Sequence, residues 1–150
     1  IARHVYDAPL ALQPTPSAMV VNRSFWSGLK PAERRAMIKH APRLIADTTI
    51  NGYMAEDKWV RSEAPKRGIT FVSAGKDLLT ALEAHKAKEP KIIAAVATKE
   101  GVKDADAIIK AHLKNVEKWD KIHARIGDDP DKFAQALWDE VFSKLDPEKM

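Results

Sequence analysis

Apolar and small residues recur at three- and four-residue intervals through the first half of the chain: Met37, Ile38, Ala41, Leu44, Ile45, Thr48, Gly52, Ala55 and Trp59. That spacing puts them on one stripe of a helix. Pro31 suits the first helical position, because its missing N–H has no intrahelical partner there. The pattern predicts one long helix over residues 31–64. Pro42 lies inside it and breaks the i→i−4 ladder, so a kink is expected near residues 39–41. Small side chains along the stripe let another backbone approach closely, so a crossing element is expected.

Short β-rich runs flank this helix. Residues 18–22, AMVVN, form an apolar run ending at a turn-former and predict a buried strand. Arg67-Gly68 then ends the helix before Ile69-Thr70-Phe71-Val72, a second strand. Upstream, Pro9, Pro14 and Pro16 keep residues 1–17 from holding a helix or a central strand. Arg3-His4-Val5-Tyr6 is the one strand candidate there. The rest of this segment leaves backbone groups outside any ladder, so it must run along the surface or a cleft.

The second half is helical. Leu78, Leu79, Leu82 and His85 share a face over residues 76–88, with Pro90 as the stop, and residues 91–99 carry Ile92, Ile93 and Val96 before Gly101. Over residues 104–126, Ala105, Ile108, Ile109, His112, Val116, Trp119 and Ile126 make the strongest amphipathic stripe. Gly127 ends it. Asp128-Asp129-Pro130 then supplies a cap and a first-turn proline for a last helix reaching about residue 145, with Phe133, Leu137, Val141 and Leu145 in register. The chain thus divides into a strand–helix–strand unit with its leading segment (1–75) and a helical tail (76–150). No internal repeat is present.

Composition narrows the picture. At 150 residues and 45% apolar content, the chain suffices for one domain with a core. No run is long enough to span a bilayer. The absence of cysteine removes disulfides, thiolate catalysis and cysteine-based zinc sites. The first residue is Ile, so a processed product or a fragment is expected. Residues 1–75 carry 11 Lys/Arg against 6 Asp/Glu, and residues 76–150 carry 14 against 15, so the net charge of +4 belongs to the first half. A basic half attracts polyanions or small anions, or simply reflects solvated helix faces.

Candidate chemistry is sparse. His4, His40, His85, His112 and His123 form no HxxxH pair, and His112 and His123 stand about 16 Å apart along a helix, too far for one ion. His85 and His112 fall on apolar faces, where core or boundary histidines are expected. There is no GxSxG elbow and no glycine-rich phosphate loop, and adjacent carboxylates such as Glu56-Asp57 suit helix surfaces. No catalytic residue, metal site or cofactor is therefore assigned. Arg34, Arg35, Lys39 and Arg43 form a basic stripe without a nucleic-acid-reading motif beside it. Trp26, Trp59, Trp119 and Trp138 suit core or interface anchoring.

The order of motifs carries a resemblance. VVNRSFWSGLKPAERRAM, a long helix, KRGITFVSAGKDLLTALEAH and a tail ending GVKDADAIIKAHLKNVEKW resemble the C-terminal half of the solute receptors of TRAP transporters, the DctP-like family. Asn22, Trp26, Leu29 and Gly68 fall on the family pattern, and Gly101 to Asp104 with Lys118-Trp119 looks like its long-tailed members. The Leu-Pro of the family is here Leu29-Lys30-Pro31, one residue longer. The resemblance implies a helix-rich α/β chain with few strands, half of a two-lobed periplasmic-binding-protein-like fold. It also implies a missing N-terminal half that would hold the carboxylate-gripping arginine.

The function so implied is non-enzymatic: a periplasmic receptor that captures an organic acid anion and delivers it to the TRAP permease. In the family the segment before the first strand of this unit helps form the pocket, which makes Gln13, Thr15 and Ser17 candidate polar contacts and Leu10 and Leu12 an apolar wall. Standing alone, such a half is expected to self-associate through uncovered helix faces. The other reading of the residues is a small basic helical module docking on an acidic partner or nucleic acid.

Overall fold

The computed structural model describes residues 2–8 and 20–150. Of these, 72% are helical, and the only strands among them are β1 (His4–Asp7) and β2 (Thr70–Ser73), so the chain is a helix-rich α/β protein. It divides into two compact units, Ile1–Gln13 with Glu63–Lys121, and Pro14–Ser62 with Ile122–Met150.

In the first unit β1 and β2 pair in parallel, His4 opposite Thr70 through Asp7 opposite Ser73. The expected strand near the N-terminus exists, one residue later than its sequence motif. A short 3₁₀ turn, Pro65–Arg67, leads into β2 through Gly68, whose φ of +70° lies where side-chain-bearing residues are strained. Its N–H donates to the Pro65 carbonyl, and the Ile69 N–H to that of Ala64, closing the helix end as the ladder starts with Thr70 N–H donating to Arg3.

Three helices follow: α4 (Lys76–Lys86), α5 (Glu89–Lys99) and α6 (Ala105–Ile126), the last running on into the second unit. Pro90 does not stop α4; it sits in the first turn of α5, where a proline loses no hydrogen bond. The buried apolar residues of this unit are alanines, Ala64, Ala94 and Ala105. On α5, Ile92, Ile93 and Val96 are about half exposed, as are Ile108 and Val116 on the expected α6 stripe. His85 and His112, expected in the core or at its boundary, are exposed. A helix face with no element laid over it does not bury its residues, whatever their periodicity.

The second unit contains the large-residue core. Its helices are α1 (Arg23–Gly28), α2 (Pro31–Ala46), α3 (Ala55–Glu63, up to Ser62) and α7 (Pro130–Glu140). Residues 20–22, expected as the end of a buried strand, are not a strand: Val20 is exposed, and Asn22 caps α1 instead. The rest of that run, residues 18 and 19, lies outside the described residues. The strand that pairs with β2 is β1.

At the start of α2 the Glu33 carboxylate accepts from the Lys30 N–H at 2.7 Å, half of a capping box, and Pro31 follows at the first turn. The long helix is continuous through Pro42, and residues 39–41 keep α geometry. The departure from it comes later, in a wide π-helical stretch, Asp47–Met54, that joins α2 to α3. There the Thr48 hydroxyl donates to the Leu44 carbonyl at 2.8 Å, engaging the acceptor that an α-helix reserves for the N–H of residue 48.

The face of α2 that packs is Ile38, Ala41, Pro42 and Ala46, set against Ala136 and Leu137 of α7. Of the expected continuation of the stripe, Ile45, Thr48 and Gly52 are half-buried, and Leu44, Ala55 and Trp59 are exposed. Asp129 caps α7 by accepting from the N–H groups of Asp131 and Lys132 at 3.0 and 3.1 Å. These bonds, that of Lys132 foremost, hold its carboxyl below the usual range. The last helix stops at Glu140, short of the expected residue 145, because Val141 leaves helical geometry (φ −130°, ψ −66°). A 3₁₀ turn, Phe142–Lys144, follows.

Candidate functional site

A cavity of about 510 Å³ lies within the second unit, inside the range usual for small-molecule sites. Three segments build it. Residues 21–26 supply Val21, Arg23 and Trp26. The Asn22 side chain fixes this segment by accepting from the Ser24 and Phe25 N–H groups at 2.9 and 3.3 Å, which places Arg23 and Trp26 in the first turns of α1. The floor is α2, through Met37, Ile38, Ala41 and Ile45. The opposite wall is Phe142, Leu145 and Met150, which the break at Val141 redirects from the α7 register. An ion pair between Arg35 and Glu148, 3.2 Å, ties this terminal segment to α2.

Among the described residues the lining is apolar apart from Arg23 and Trp26. Arg23 is exposed and has no ion-pair partner among the described residues. The residues outside them, 1 and 9–19, contain no Asp or Glu. Trp26 has a buried indole N–H with no acceptor among the described residues. Leaving such a donor unpaired costs about 1–3 kcal/mol. Its ring is held from behind by Arg34, whose guanidinium lies 5.9 Å from the ring centroid while Nη2 donates to the Ser27 carbonyl at 2.8 Å. A further groove of about 300 Å³ along α2 is lined by Ala36, Met37, His40, Ala41 and Leu44. Because the Asn22 cap orients the α1 wall, Asn22→Ala is expected to lower stability by about 1 kcal/mol, read by chemical denaturation.

The residues proposed from sequence as ligand contacts, Leu10, Leu12, Gln13, Thr15 and Ser17, all lie outside the described residues. Val21, only four positions after Ser17, lines the cavity. Of the positions that carry the family resemblance, Trp26 is a cavity wall, Asn22 the α1 cap, Leu29 its C-terminal boundary, and Gly68 the turn before β2. Sequence reasoning missed Arg23, and it placed Leu145 on a helix face rather than a cavity wall. A lone arginine after a capping asparagine is the only local sign of the former.

The basic stripe on α2 is largely engaged within the unit. Arg34 holds Trp26, Arg35 pairs with Glu148, and Arg43 pairs with Asp47 at 2.7 Å and with Asp131. Asp47 and then Asp131 raise the already high pKa of Arg43.

A pH-sensitive tie joins α3 to the turn after α6. Asp128, in the turn after α6, accepts from Lys58 Nζ of α3 at 2.9 Å and lies 3.2 Å from His123 Nε2. Lys58, then His123, holds its carboxyl below the ordinary value of 3.8. A carboxyl depressed on folding stabilises the protein above the unfolded-state value and loses that contribution as pH falls through the folded one. Asp128→Asn is therefore expected to be less stable than wild type at pH 7, with the difference closing below pH 4 in an acid-unfolding series.

Among the described residues no group of three or more His, Asp or Glu is arranged to hold a metal ion, and no helix is long and apolar enough to cross a membrane. No family model, curated protein or solved structure matches the chain.

Proposed function

We propose that this chain is the C-terminal half of a two-lobed periplasmic receptor that captures an organic acid anion and delivers it to a TRAP permease. The observation that carries this reading is the cavity of the second unit, apolar in its body and with Arg23, which has no ion-pair partner among the described residues, beside it. A cation next to an apolar cavity selects a ligand with a negative end and a body that gains by leaving water. The proline-rich segment holding Gln13, Thr15 and Ser17 leads in sequence directly to the lining residues Val21 and Arg23, which fits its expected place along a ligand cleft. The sequence resemblance to the DctP-like receptors supplies the class of protein. Such a receptor binds and releases its ligand unchanged, without a catalytic group or cofactor.

A ligand that binds only the folded state stabilises it by RT ln(1 + [L]/Kd), about 2.7 kcal/mol at a hundredfold excess over Kd. The full-length receptor, with both halves, is expected to melt several degrees higher with one member of an organic-acid panel at that excess. A shift by a polyanion such as heparin that disappears with salt, with none from any organic acid, would overturn the receptor reading in favour of a basic docking module.

A further inference from the structure

We infer that α6 carries a docking ridge for an anionic lipid surface. Along this helix Lys110, Lys114, Lys118, Lys121 and Arg125 are all exposed. At 3.6 residues per turn they fall within an arc of about 80° and extend about 22 Å along the axis, so one flat surface meets all five side chains together. Ile109, Val116, Trp119 and Ile126 lie on the opposite side of the helix. The acids of α6, Asp106, Glu117 and Asp120, stand to one flank of the ridge, and none lies within it.

The described fold does not compensate this charge. Lys110, Lys114, Lys121 and Arg125 form no ion pair among the described residues, although Asp106 and Glu117 precede Lys110 and Lys121 by four positions. Lys110 with Lys114, Lys114 with Lys118, and Lys121 with Arg125 are themselves four apart, a spacing at which like charges destabilise a helix. An anionic surface relieves that repulsion. The basic stripe of α2 differs, since Arg34, Arg35 and Arg43 are engaged within their own unit. The ridge is mostly lysine, a compact charge on a flexible stem that follows a field of phosphates rather than gripping one group in a fixed fork. Trp119, the aromatic residue of α6, faces away from it, so the ridge has no platform of its own for stacking bases. The choice of lipid over nucleic acid also rests on the receptor reading, which brings the chain to a permease embedded in a membrane.

Co-sedimentation of the whole chain with vesicles of phosphatidylcholine, alone or with phosphatidylglycerol added, tests this at low and at physiological ionic strength. The anionic vesicles are expected to bind at least about a hundredfold more tightly at low salt, with the difference shrinking as salt rises. Each lysine near such a surface is worth about a fivefold factor, so Lys110→Gln, Lys114→Gln and Lys121→Gln combined should weaken that binding by about a hundredfold. Lys76→Gln, Lys88→Gln and Lys91→Gln combined remove the same charge elsewhere and should change it by less than about twofold, with circular dichroism confirming that both variants fold. Equal losses in the two triple variants would reduce the effect to net charge and overturn the ridge, as would equal binding to neutral and anionic vesicles. A single-stranded oligonucleotide that binds more tightly than the anionic vesicles, and loses its binding in the α6 variant, would reassign the ridge to nucleic acid. A folded chain that binds neither vesicle refutes the ridge and leaves the receptor reading to its own melting test. Vesicle binding lost in the α6 variant, with no organic acid shifting the melting of the full-length receptor, would sink the receptor reading and keep the ridge.

Discussion

Replacing Leu137 by alanine is expected to lower the unfolding free energy by about 2–5 kcal/mol, the cost of losing a buried leucine side chain and leaving part of its volume empty. Leu137 is 9% exposed, and with Ala136 it forms the face of α7 that meets α2. Few large side chains are buried anywhere in the described residues, so little nearby mass is free to collapse into the space. Small domains are stable by only about 5–15 kcal/mol, and a loss of this size is a large share of that margin. Urea denaturation followed by far-ultraviolet circular dichroism reads it directly. A loss below about 1 kcal/mol would mean that the α2–α7 contact is not what holds this unit together.

Ala46→Leu tests the same contact from the other side. Among the described residues Ala46 is the core residue with no exposed surface, and it sits where α2 gives way to the π-helical stretch. Three added carbon atoms have no space to enter, so the helices must shift or the side chain must leave its preferred rotamer, at about 1–3 kcal/mol. The same substitution at Ala124, exposed on α6, is expected to change stability by less than about 0.5 kcal/mol, because alanine and leucine are both good helix formers. Equal effects at the two positions would show that close packing at Ala46 is not the constraint. A difference in denaturation midpoint at unchanged slope would show that it is.

Legibility in the sequence followed the range over which each signal acts. Helix ends were readable, since a cap or a stop depends on a few neighbouring residues. Pro31, Gly68, Gly101, Gly127 and the Asp129-Pro130 pair all mark boundaries in the structure as expected. Pro90 marked a boundary too, but as the beginning of α5 rather than the end of α4, since proline is tolerated at a helix start and disfavoured in its interior. The end of the apolar run, residues 20–22, was misleading, because strand propensity pointed one way while Asn22 made a local cap for α1. The cavity was not readable, since its walls come from residues more than a hundred positions apart.

By itself, then, the sequence determined where most of the helices begin or end and that β2 follows the Gly68 turn, because periodicity, capping and positive-φ positions act within one or two turns. Only the tertiary structure decided which faces are covered. Neither the pairing of β1 with β2 nor the burial of Ile38, Ala41 and Ala46 while Leu44 and Trp59 stay exposed is written in the spacing, which puts all of them on one stripe. A stripe becomes core only where another element lies over it, as α7 does on α2. For the same reason Arg23 is an ordinary surface arginine in sequence, and a candidate ligand contact only once Phe142 and Leu145 have turned toward α2 and enclosed an apolar space beside it.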